Sequence, residues 1–98
     1  MDIPEQLKGK GICLSSIGLS EVAWKYEDAI ILIEYCKNNK IFILGGDVLV
    51  KDGGEYRHNY DNWYLDKDQG NYQDSINKAK EYITNYPKGD YAFVFVAE

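Results

Sequence analysis

Histidine, cysteine and the common catalytic motifs are scarce or missing in this sequence. His58 is the one histidine, so a metal site with two histidines cannot form within a single chain. Cys13 and Cys36 form no CxxC pair, and we interpret both as reduced and buried. Neither a glycine-rich phosphate loop nor a Gly-x-Ser-x-Gly nucleophile elbow occurs. We therefore expect no catalytic residue, no bound metal and no cofactor.

Long apolar runs and an excess of basic charge are missing as well. The longest stretch without a charged residue, residues 11–20, is ten residues long, whereas a membrane span needs about 20 apolar residues. The first residues show neither a basic leader nor an apolar signal core, so we expect a cytoplasmic protein that does not bind membranes. The 11 basic and 16 acidic side chains give a formal net charge of −5, which repels the phosphates of nucleic acid.

What the sequence does contain is typical of one small globular unit. Its 98 residues are 45% hydrophobic and 28% charged, which favours a folded chain over a disordered one. A chain of this length builds one modest core. We expect a single domain over residues 1–98, and the sequence leaves its oligomeric state open.

Helical periodicity dominates the first half of the chain. Residues 12–14 are predicted as a short strand. From Ser20, a candidate N-cap, apolar residues recur at helical spacing as far as Cys36, and residues 38–39 are a plausible end. The sequence therefore predicts a first helix that begins directly after Ser20.

The second half alternates between strand and helix patterns. Residues 41–50 predict a strand, in which Gly45-Gly46 indicates a bulge or a close backbone approach. Asp47 then either points outward or hydrogen-bonds the chain near Asn62. Residues 52–54 (DGG) predict a hairpin turn, and the returning strand begins at Glu55 and reaches residue 60 or 65.

Two further elements complete the predicted fold. A helix is expected over residues 72–86, capped by Asn71 and ended by Pro87. The strand over residues 91–97 is apolar on both faces, so it belongs in the middle of a sheet beneath a helix. This order predicts an α+β two-layer sandwich with a small, mostly antiparallel sheet and two helices packed on one face.

Aromatic and acidic residues concentrate in one third of the chain. Residues 41–70 carry three basic and six acidic side chains, which account for −3 of the net charge, and residues 55–65 (EYRHNYDNWYL) are rich in aromatic rings. Such rings either close the core beneath the helices or anchor a partner, with the carboxylates steering association. Both interpretations stay open for this segment.

His58 permits a second function. Together with Asp47 or Asp61 it would form a general base in a small hydrolase or a ligand-binding domain. A third possibility is a structural subunit whose aromatic residues serve only core and oligomer contacts. The composition favours neither the hydrolase or ligand-binding function nor the structural one.

Four segments carry a family resemblance. Residues 39–48 (NKIFILGGDV) and 60–64 (YDNWY), with 23–29 (AWKYEDA) and 79–83 (AKEYI), resemble the immunity protein 40 family of bacterial polymorphic toxin systems. The resemblance extends over residues 15–86. It implies a small α+β protein that binds a cognate toxin domain and blocks it in the cell that produces both, without catalysis.

We accordingly expect a protein partner, a basic toxin domain, bound at the sheet or hairpin rim. Neither nucleic acid nor membrane is an expected partner. The predicted partner-binding residues are the acidic and aromatic side chains of this region: Asp47, Tyr56, Tyr60, Asp61, Trp63, Tyr64 and Asp66.

Overall fold

A computed structural model describes residues 3–14, 22–86 and 89–97, except for the side chain of Tyr60. Its strands are β1 (Ile12–Cys13), β2 (Val22–Lys25), β3 (Ile43–Asp52), β4 (Glu55–Tyr64) and β5 (Tyr91–Ala97), and its helices are α1 (Tyr26–Asn38) and α2 (Tyr72–Thr84). The strands form one antiparallel sheet in the order β1-β2-β5-β3-β4. The α+β prediction is confirmed.

The first helix starts later than the sequence predicted. Residues 22–25, expected to be helical, form β2, in which Trp24 pairs with Phe93 and Lys25 with Ala92. The helical periodicity was misleading here because an available strand partner outweighs local propensity. Helix α1 begins at Tyr26, and only its end, at Asn38, lies where the sequence predicted it. The predicted cap, Ser20, lies outside the described residues.

Strand β5 occupies the centre of the sheet, as its two apolar faces predicted. One of these faces contributes Phe93 to the main core. Both helices pack against that face, and the cluster they form contains Trp24, Leu32, Ile33, Val48, Ile76, Ile83 and Phe93. We call this side of the sheet the helix face. The early strand, the hairpin and the second helix also lie where they were predicted.

The opposite side, which we call the open face, carries a smaller core. Alternation along the strands places Ala23, Leu49, Ala92 and Val94 there, packed with Leu14. Partly buried Ile12 and Tyr56 extend this cluster. Beyond Val94 the open face is exposed, and Val96 keeps 49% of its surface accessible.

Local chemistry fixes the turn and the cap that hold these elements in register. Gly53 and Gly54 have φ angles of 60° and 88°, which suit a tight two-residue hairpin turn. At α2, Asn71 accepts a hydrogen bond from the Asp74 amide at 3.0 Å, while Asp74 accepts one from the Asn71 amide at 2.9 Å. This reciprocal cap confirms the predicted start of the helix. Pro87, its predicted end, lies outside the described residues.

Candidate functional site

The open face bears a notch where a glycine separates two exposed side chains. In the sheet register Gly45 of β3 lies opposite Tyr64 of β4 on one side and Val96 of β5 on the other. Tyr64 is 58% exposed and Val96 49% exposed. The cavity of about 280 Å³ is lined by Leu44, Gly45, Gly46, Asp47, Asn62, Trp63, Tyr64 and Val96.

The floor of the notch is bare backbone for a steric reason. A Cβ atom at Gly45 would lie 2.2 Å from the Trp63 carbonyl oxygen, far inside van der Waals contact. The register of β3 against β5 also shifts between Ile43 and Gly45. Both findings confirm the predicted bulge or close approach, and the steric clash explains why position 45 carries no side chain.

A carboxylate lies at one end of the notch. Asp47 is half-buried on the open face, opposite Asn62 in β4 and Val94 in β5. Within the described part of the chain, no hydrogen bond or ion pair engages its side chain. This favours the outward-pointing interpretation of Asp47 over a structural bond to the chain near Asn62.

A second carboxylate orients the aromatic wall. The Tyr64 hydroxyl donates a hydrogen bond to Oδ1 of Asp66 at 2.6 Å, and this bond, with the nearby negative charge, raises the pKa of Tyr64 above its ordinary value of 10.0. On the other side of β4, Lys78 of α2 donates its Nζ to the Tyr64 carbonyl oxygen at 2.7 Å. Tyr64 is therefore held at both its backbone and its ring.

Asp61 and Trp63, also predicted to bind the partner, face the helices. Asp61 accepts hydrogen bonds from the hydroxyls of Tyr82 and Tyr86. Trp63 is 5% exposed, and its ring stacks on Tyr82 with centroids 5.0 Å apart. Among the described residues, its Nε1 is the one buried side-chain polar atom without a hydrogen-bond partner. Both side chains therefore lie on the helix face of the sheet, in contact with Tyr82.

Of the remaining predicted partner-binding residues, Tyr56 does not line the notch, and the side chain of Tyr60 lies outside the described part of the chain. Tyr56 lies near the hairpin end of β4, half-buried against the smaller core, in shallow depressions shared with Lys25 and Lys51. Asp47 and Tyr64 both line the notch, and Asp66 is joined to it by the hydrogen bond from Tyr64. The sequence analysis did not include Val96 among the site residues, because an apolar residue in a central strand is normally assigned to the core. It did not include Asn62 either.

Of the two carboxylates considered with His58, Asp47 shares the open face with it, whereas Asp61 lies on the other side of the sheet. His58 is exposed and lies opposite Leu49 on the open face, whereas the Asp61 carboxylate is bound to two tyrosines on the helix face. Cys13 is exposed, so the prediction that both cysteines are buried was wrong for this one, because β1 is an edge strand.

Cys36 is buried and forms no disulfide bond. Burial raises its pKa to about 11, which keeps the thiol protonated and unreactive at neutral pH. Across residues 3–14, 22–86 and 89–97, no group of three or more histidine, cysteine or acidic side chains is placed to hold a metal ion. Neither helix found in these ranges has the length and apolar character needed to cross a bilayer.

A larger groove of about 530 Å³ lies at the β2 side of the sheet, lined by residues that include Ile3, Cys13, Val22 and Trp24. Its lining residues carry no charge and include none of the predicted partner-binding residues. The notch is therefore the stronger candidate for recognition of a charged partner.

Comparison with known proteins supplies a family. The family model described as Immunity protein 40 matches residues 13–97, which is most of the chain. No curated protein and no solved structure gives a significant match.

Proposed function

The chain belongs to the immunity protein 40 family, and from this premise we propose that it binds a cognate toxin domain and neutralises it by protein–protein contact. The family description implies an immunity role and a protein partner in general terms. The contact surface in this proposal is the notch, and the partner surface that meets it is basic.

The observation that carries the proposal is the coincidence of exposed apolar walls and free carboxylate at one place. Among the described residues three large hydrophobic side chains are exposed, and two of them, Tyr64 and Val96, flank Gly45. Asp47 and Asp66 add negative charge beside them. Tyrosine anchors bordered by charge are typical of the centre of a protein interface.

The sheet makes this surface rigid, which suits an inhibitor. The hydrogen bond to Asp66 holds the Tyr64 ring before any partner arrives, so little side-chain entropy is lost on binding. A toxin whose active site is basic would meet complementary charge at the notch. Occupation of that site by the open face excludes the toxin's own substrate, and this is the proposed mechanism of neutralisation.

A growth-rescue experiment tests the proposal. The C-terminal domain encoded by the open reading frame beside this chain's gene is induced in a surrogate host as the candidate toxin, alone or with this chain. We expect the wild-type chain to restore growth and to co-purify with the toxin, and the Tyr64→Ala/Asp66→Lys double variant to lose both properties.

His58→Ala is the matched control, because His58 is exposed but lies outside the notch. It should protect as fully as the wild type. Loss of protection in His58→Ala, with the double variant still protective, would contradict the proposal and support the hydrolase or ligand-binding alternative. A folded double variant that still binds the toxin with undiminished affinity would place the interface elsewhere.

A further inference from the structure

The width of the notch selects the shape of what enters it. Tyr64 and Val96 both neighbour Gly45, so their strands lie two spacings apart, which is roughly 10 Å. One side chain fits between two walls at that separation, whereas a helix does not. The glycine between them offers only backbone, so the entering group lies flat against the strand.

The chemistry of the walls selects a cation with an apolar stem. Asp47 is two residues along β3 from Gly45 on the same face, which is about 7 Å. It is half-buried and lacks a hydrogen-bond or ion-pair partner among the described residues. A partly desolvated carboxylate binds a cation more strongly than one in open water. Tyr64 and Val96 would cover the aliphatic part of the same side chain.

The geometry points to arginine over lysine. A guanidinium group is planar, stacks on a tyrosine ring and carries five donors in a fixed fork. The Asp47 carboxylate and the Asn62 side-chain oxygen, opposite each other in the register, offer acceptors to that fork. An ammonium group is a compact, strongly hydrated point charge that gains less from a flat aromatic wall.

Resting on the function proposed above, we propose that the notch receives one arginine side chain of the toxin, with its guanidinium stacked on Tyr64 and bonded to Asp47. A second copy of this chain is a poor occupant, because it brings the same net charge of −5 to an acidic surface.

The test uses a small probe, so it does not depend on having the toxin. N-acetyl-arginine N-methylamide is titrated into ¹⁵N-labelled protein, and N-acetyl-citrulline N-methylamide, its uncharged near-isostere, serves as the matched probe. We expect saturable shifts confined to the amides of the notch with the arginine probe, at a Kd on the order of 10 mM for a fragment of this size. The citrulline probe should cause no saturable shift.

Variants assign the contacts. Asp47→Asn should weaken binding of the arginine probe by about fivefold or more. Asp52→Asn makes the same charge change about 17 Å further along the same strand and should leave the affinity unchanged. Tyr64→Phe, which keeps the ring but loses the hydrogen bond to Asp66, should bind less tightly than the wild type and more tightly than Tyr64→Leu. Equal affinity in Asp47→Asn and Asp52→Asn, or shifts spread over all acidic surfaces, would overturn the proposal.

The probe and rescue experiments fail independently. Probe binding at the notch, without rescue of growth from any toxin, would leave the arginine site in place and remove the immunity function. Rescue with a co-purified toxin, but no arginine-specific shifts, would retain the immunity function and remove the arginine site.

Discussion

At the scale of single residues, the glycine pair of β3 decides both the core and the surface. A Cβ atom at Gly46 would lie 2.2 Å from the Val94 carbonyl oxygen and 2.4 Å from the Trp63 ring. The indole therefore fills the space above Gly46 on the helix face. The absence of a side chain at Gly45 leaves the notch on the open face. Two adjacent glycines thus serve opposite sides of the sheet.

We predict that Gly46→Ala lowers the free energy of unfolding by about 2–4 kcal/mol. The added methyl group meets a backbone carbonyl oxygen that is fixed in the sheet, so strand separation or displacement of the Trp63 ring must relieve the clash. Equilibrium unfolding in urea, followed by tryptophan fluorescence, measures the change.

Gly53→Ala is the control for the cost of backbone conformation alone. Gly53 has a positive φ, and no heavy atom lies within 4 Å of its ideal Cβ position. The Gly53→Ala substitution should lower the free energy of unfolding by about 1–2 kcal/mol. A loss in Gly46→Ala no larger than that in Gly53→Ala would show that the strand yields easily.

At the scale of elements, polar contacts attach α2 to the sheet. Ser75, buried in the helix, accepts a hydrogen bond from the Ile43 amide at 3.0 Å and donates one to the Tyr72 carbonyl oxygen at 2.8 Å. Asp61 of β4 receives the hydroxyls of Tyr82 and Tyr86 from the C-terminal part of the helix and just beyond it. These hydrogen bonds attach β4, an edge strand, on the helix face of the sheet, opposite the notch.

The Tyr82 contact predicts a loss of stability at high pH. Burial, with the hydrogen bond to Asp61 and the negative charge of Asp61, raises the pKa of Tyr82 from 10.0 to about 12. Because the folded-state pKa is raised, this contribution is fully present below pH 10 and is lost as pH rises from 10 to 12. We expect Tyr82→Phe to be less stable than the wild type at pH 8, by about 1 kcal/mol. Its stability should also fall less steeply between pH 10 and 12.

Denaturant unfolding at a series of pH values measures both effects. Tyr35→Phe, which removes a hydroxyl from α1 instead, is the matched control and should follow the wild-type slope. Parallel loss of stability in the wild type and Tyr82→Phe between pH 10 and 12 would contradict a role for the Tyr82–Asp61 bond.

At the scale of the whole molecule, charge governs how a partner approaches. The net charge is −5, and the notch adds local carboxylates at Asp47 and Asp66. Such a field accelerates encounter with a basic surface, and its range is about 10 Å at 0.1 M salt. The affinity of the final complex depends more on contacts at the centre of the interface.

We predict that Asp66→Asn slows association with the cognate toxin and that the slowing is greater at low salt than at high salt. Asparagine retains an acceptor for the turn at Lys67–Gln69, so the change removes charge with little change of shape. Stopped-flow association rates at about 0.02 M and 0.3 M salt should differ more for the wild type than for the variant. Asp52→Asn, at the hairpin, should slow association less. Equal salt dependence in all three proteins would exclude steering at this surface.

The sequence by itself determined the fold class, the order of the elements from α1 onward, the hairpin, the end of α1, the start of α2 and the central place of β5. These features follow from local periodicity, turn residues and caps, which act over a few neighbouring residues. Alternation along β4 also separated Asp61 and Trp63 from Tyr64, so one surface was never able to present all seven predicted residues.

Only the tertiary structure decided which face met the helices and which stayed open. Residues 22–25 became a strand because Trp24 found Phe93 as a partner in β5. Val96 became part of a surface because its neighbour across the strand is Gly45. Pairing between residues distant in the chain creates these environments, and a pattern that reads only nearby residues contains no information about the partner.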